Sequence, residues 1–147
     1  MEQRINIQAA EPQAYKAMLG LEGYMARTDL TPVLKELIKI RASQINNCAY
    51  CLNMHTRDAL KIGESAQRIF VLSAWREAPD LFTEEEQAAL TMTEEITLIH
   101  QKGLSGETYQ KAAKVFTEVQ IAQIIMAIVT INAWNRIAVS THLPIEG

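Results

Sequence analysis

The chain has 147 residues, 48 % of them apolar and 21 % charged, with a net charge of −3. That length suits one domain, 1–147, with a core of its own, and the balance excludes a disordered chain. Nothing in the charge draws it to nucleic acid or an anionic membrane, and no linker, repeat or low-complexity stretch divides it.

Residues 1–5 carry no apolar signal core, so no export is expected and a cytoplasmic location is. Strand signals are nearly absent, with six Gly, four Pro and no run alternating with period two. Helix starts recur instead. Pro12 suits the first turn of a helix over residues 12–21. Thr31 and Pro32 cap and open a second, over 32–45. Asn46 or Asn47 caps a third, ended by Gly63. Ser65 caps a fourth, stopped by Pro79. Thr83 and Glu86 form a capping box for a fifth, closed by Gly103. Ser105 starts a sixth. Thr117 and Gln120 form a second capping box, opening an apolar helix through residues 121–139. About seven helices with short connections predict an all-α, single-domain bundle. The last helix is long enough to span a membrane, but Gln123, Asn132, Asn135 and Arg136 suit a bundle core or a subunit interface, so no membrane contact is expected and a homo-oligomer is.

The chemistry concentrates in the third helix. The chain has two cysteines, Cys48 and Cys51, with His55 four residues further on. On a helix beginning here all three share a face. Unpaired N–H groups at the helix start favour a thiolate at Cys48, while His55 can take a proton from Cys51 one turn away. Spacing leaves the order of attack open; we place Cys51 ahead because His55 supplies both a base and a later acid. The sulfurs are close enough to close a disulfide, giving a reversible two-electron switch.

Glu36 lies at the edge of the stripe formed by Val33, Leu37 and Ile40, where a carboxylate needs a partner. His55 is one candidate partner; a solvated place beside Lys35 and Lys39 is the alternative. Arg41 reads as a snorkelling side chain rather than a buried counter-charge. A zinc site built from Cys48, Cys51, His55 and Glu36 is a rival with the right ligand types, but helical placement without a second CxxC argues against it.

The pattern from Glu36 through Cys48 and Cys51 to His55 resembles the signature of AhpD-like alkylhydroperoxidases, within the larger carboxymuconolactone decarboxylase-like family. Residues 41–46 before the cysteines, 55–59 after them and 131–136 near the end are similar to that family too. The resemblance implies an all-α fold with the dithiol opening a helix, in trimers or hexamers. It implies reduction of organic hydroperoxides, with Cys51 attacking, Cys48 resolving, and Glu36 and His55 relaying protons. It implies no metal, haem or flavin, and an external dithiol reductant such as a lipoyl or thioredoxin-like protein. Where well-known members carry a second histidine this chain has Tyr50, which leaves a slower peroxidase or a general thiol–disulfide role. The lactone-decarboxylase branch generally lacks the CxxC. A lyase using Glu36 and His55, and a non-enzymatic redox sensor, are the alternatives.

Elsewhere the expectations are structural. His100 suits a helix C-terminus at the surface. His142, after the last helix, is in reach of a neighbouring subunit. Trp75 and Trp134 read as packing, Asn132 and Asn135 as hydrogen-bonded, and Tyr50 as lining the pocket mouth or covering the sulfurs.

Overall fold

A computed structural model describes residues 1–145 and 147 of the chain. Among the described residues the regular structure is entirely helical, as the sequence predicts. The α-helices are α1 (Ile7–Ala10), α2 (Pro12–Met25), α3 (Pro32–Ile45), α4 (Ala49–Lys61), α5 (Ala66–Val71), α6 (Glu84–Thr97), α7 (Gly106–Val115) and α8 (Glu118–Thr141). Two short 3-10 segments, Leu72–Glu77 and Pro79–Leu81, lie between α5 and α6.

The caps account for most of the starts. Thr31, Ser65, Thr83, Ser105 and Thr117 each accept, through the side-chain hydroxyl, the backbone N–H three residues on. Both capping boxes close in both directions. The departures have local causes. The sequence reading omits α1, which Asn6 caps by accepting from the Ala9 N–H. α2 runs on past residue 21 to Met25, whose buried side chain joins the core. The expected fourth helix breaks after Val71, and Ala74 leaves helical geometry at φ −121°. Buried Leu72 and Trp75 sit at this break, and Trp75 Nε1 donates to Glu94. α6 stops at Thr97 rather than near Gly103. The turns that follow lead to Ser105, whose N–H and hydroxyl both donate to the Glu95 carboxylate.

α3 is the central helix, packed against α4, α6 and α8. Leu34 and Ile38 join a core shared with α6, α7 and α8. Leu37 and Ile40 join a second core with Ala59, Ile69, Leu72, Trp75, Phe82 and Leu90. Arg41 departs from expectation. It does not snorkel: its Nε donates to Glu94 at 2.9 Å and its Nη1 to Gln44. Burial raises the Glu94 carboxyl pKa, but bonds from Arg76, Arg41 and Trp75 outweigh it and hold the group below the ordinary value of 4.5.

α8 is apolar on most sides, and by length and composition alone it could cross a membrane. Its buried side chains pack into the bundle, and its interior polar groups are paired there. Gln123 accepts from the Asp29 N–H, and Asn135 donates to Ser43. Half of its most apolar stretch is buried in the bundle.

Candidate active site

The three residues between α3 and α4, Asn46, Asn47 and Cys48, set the geometry. Asn47 has a left-handed backbone, φ 53°. Its N–H bonds back to Gln44 O, and the Cys48 N–H to Ser43 O. This is the pair of bonds of a Schellman motif, with asparagine in the place glycine usually takes. The motif turns the chain sharply and delivers Cys48 to the start of α4. There Cys48 is itself the N-cap: its sulfur accepts the Cys51 backbone N–H at 3.3 Å. The sequence reading gave that cap to Asn46 or Asn47, because cysteine is not among the usual capping residues. Asn46 closes α3 instead, and its side chain donates to both Asn132 and Asn135 of α8, at 3.0 and 2.9 Å. Asn132 and Asn135 are thus hydrogen-bonded as expected, and they lock the approach to the cysteines onto α8.

Cys48 and Cys51 are joined as a disulfide, with a Cα–Cα distance of 5.3 Å. The exposures of the two residues are 1 % and 2 %. They form a small apolar cluster with Ala138, against which Tyr50 and Leu143 pack. One turn beyond Cys51, His55 is buried at 8 % exposure, and its Nδ1 lies 3.0 Å from Glu36 Oε2. Of the two placements open for Glu36, the structure shows the one beside His55. The other carboxylate oxygen, Oε1, accepts from Lys39 Nζ at 3.0 Å. Burial pushes the Glu36 pKa up, but the His55 hydrogen bond and Lys39 outweigh it and leave the carboxyl below 4.5. An ionised carboxylate only accepts, so Nδ1 carries the imidazole proton and neutral His55 keeps a lone pair on Nε2. This fixes His55 in the tautomer suited to a base.

A cavity of about 430 Å3 opens beside this cluster. Its walls are mainly apolar. Asn47, Cys48 and Tyr50 contribute from the start of α4, and Ala138, His142 and Leu143 from the end of α8. Cys48 is therefore the cysteine that lines the cavity; Cys51, His55 and Glu36 are not part of its wall. Tyr50 stands where expected, at once lining the cavity and packing on the sulfurs. His142 stands on the same wall as Cys48, a place the sequence did not indicate. His100 is exposed, in the turns that follow α6. Trp75 is buried, and Trp134 stacks edge-on to Tyr15 while donating to Glu22. Among the described residues no three His, Cys, Asp or Glu side chains are grouped to hold a metal ion.

Comparison with known proteins bears on the family and the fold. The family model of the carboxymuconolactone decarboxylase family matches residues 12–95, which include Glu36, both cysteines and His55. The uncharacterised protein YdfG of Bacillus subtilis is 41 % identical over 140 residues, 95 % of each chain. A crystal structure from Agrobacterium tumefaciens, of a protein of unknown function described as a candidate AhpD antioxidant defence protein, superposes with a TM-score of 0.95. It is 38 % identical and covers 99 % of both chains. A debrominase in complex with 2,3,4-tribromopyrrole shares the fold at a TM-score of 0.83 and 20 % identity, over 95 % of this chain and 74 % of its own.

Proposed function

The chain belongs to the carboxymuconolactone decarboxylase family, and from that premise we propose that it is a thiol-dependent peroxidase of the AhpD-like kind, reducing organic hydroperoxides. One observation carries the reading. A closed Cys48–Cys51 pair caps a helix whose next turn presents His55, and His55 is held in one tautomer by an ionised Glu36.

In the reduced protein His55 takes the proton of Cys51. The thiolate attacks the distal oxygen of a hydroperoxide; the O–O bond breaks, Cys51 becomes a sulfenic acid, and the leaving alkoxide takes the proton from His55. Glu36 stabilises the imidazolium while it holds that proton. The Cys48 thiol then condenses with the sulfenic acid, releasing water and closing the disulfide. An external dithiol, of the lipoyl or thioredoxin type, returns two electrons and two protons. The scheme needs no metal, haem or flavin.

Cysteine replacement tests the scheme. Cys51→Ser is expected to abolish hydroperoxide consumption. Cys48→Ser is expected to accumulate a sulfenic acid at Cys51, seen by mass as a dimedone adduct. An adduct on Cys48 in the Cys51→Ser protein would reverse the order of attack. The family's namesake chemistry is the competing reading, since a lyase could work through Glu36 and His55 alone. Such an enzyme would keep its turnover of a lactone acid with both cysteines changed to serine.

A further inference from the structure

The relay of Glu36 and His55 serves one sulfur. His55 follows Cys51 by a single helical turn and does not reach the cavity wall. Of the two cysteines, Cys48 is the one on that wall, 1 % exposed. The same wall carries a second imidazole, His142.

The backbone puts His142 there. It ends α8 in a left-handed conformation, φ 54° and ψ 50°. Its N–H bonds to Val139 O, and the Leu143 N–H to Ala138 O. That turn folds Leu143 and Ala138 onto the disulfide. The preceding residues are held from outside: the Arg4 N–H donates to Thr141 O and its guanidinium to Ser140 O. A left-handed conformation costs a residue with a Cβ roughly 1–2 kcal/mol, and glycine would occupy it without that cost. The turn thus sets the His142 residue in a cavity wall shared with Cys48.

We propose that His142 is the acid–base group for Cys48 in the reductive half of the cycle, the half that consumes an external dithiol. The proposal rests on the dithiol reading above. His142 takes the proton of the first incoming thiol. That sulfur attacks Cys48 Sγ, the Cys48–Cys51 bond breaks, and Cys51 leaves as a thiolate that takes a proton from solvent. The second thiol of the reductant loses its proton to solvent, which balances the one given to Cys51. It attacks the reductant's own sulfur in the mixed disulfide, and Cys48 leaves as a thiolate that takes the proton held by His142. The reductant closes its disulfide, and two electrons and two protons have passed to the protein. The site thus has one imidazole for each sulfur: His55 for Cys51 and His142 for Cys48.

Separate half-reactions test this. His142→Gly and His142→Asn both suit the left-handed position while removing the imidazole. Oxidised protein is mixed with excess dithiothreitol, and free thiols are counted after acid quench. Both variants are expected to open the disulfide at least tenfold more slowly than the parent. Imidazole at tens of millimolar is expected to restore the rate in His142→Gly, a rescue that a structural role would not give. Oxidation of the reduced variants by hydroperoxide is expected to keep the parent rate, because His55 serves that step. Opening at the parent rate in both variants, or a loss that imidazole does not rescue, would overturn the proposal. If the parent failed to react with hydroperoxide, the peroxidase reading would fall alone. The disulfide could then be formed with diamide, and the comparison would still report on His142.

Discussion

Glu36 is held from two sides, by His55 on one oxygen and Lys39 on the other. A glutamine at position 36 keeps the size but removes the charge that stabilises the imidazolium. Glu36→Gln is expected to slow hydroperoxide reduction by about 10- to 100-fold, less than the loss of a general base outright. Its helical circular dichroism should match the parent; an unchanged rate would reduce Glu36 to a packing residue. The same carboxyl also ties stability to pH. Glu36 and Glu94 both have folded pKa values below 4.5, so the unfolded chain binds more protons in acid. Their stabilisation is complete above the ordinary carboxylate range and is lost as pH falls through their lowered folded values. Denaturant midpoints should therefore fall in acid below about pH 4.5, and less steeply in Glu36→Gln. At this scale the candidate site was legible: thiols three apart, an imidazole one turn on, and a carboxylate on a core-facing stripe each needed a partner. Arg41 was not legible, because its partner Glu94 lies 53 positions away and no local pattern links the two.

The turn between α3 and α4 is the element on which the site depends. Asn47 holds a left-handed conformation there, and alanine in that conformation is strained. Asn47→Ala is expected to cost roughly 1 kcal/mol, read as a lower thermal midpoint, with Asn47→Gly at or above the parent. Equal midpoints for the two would show that the turn does not constrain the chain. Helix starts were readable wherever a hydroxyl stood three residues ahead of its N–H partner. Ends were harder. α6 stops at Thr97 because the chain turns to bring Ser105 to Glu95, a tertiary bond with no signal near residue 97. The break after Val71 is set in the same way, by burial of Leu72 and Trp75. The left-handed end at His142 had no glycine to announce it, so the cavity wall it builds was invisible to periodicity.

Across the whole molecule the all-α class was plain from the absence of period two and the run of caps. The packing order around α3 was not, since it depends on which apolar stripe meets which. Apolar surface also remains outside the two cores. Phe70 is 80 % exposed, and Val119, Val129 and Val139 are exposed on α8. We propose that copies of the chain cover this surface in a trimer or hexamer. Light scattering on the purified protein should return three or six times the 16.5 kDa chain mass; a monomer at working concentration would contradict it. The redox cycle can be read on the whole assembly. Free thiols per chain are counted through alternating additions of an organic hydroperoxide and a dithiol, with consumption of both followed alongside. The account predicts two thiols that disappear and return with each cycle, and hydroperoxide consumed in steady proportion to dithiol. Thiols that stay untouched by hydroperoxide, or that oxidise once and never return, would contradict it.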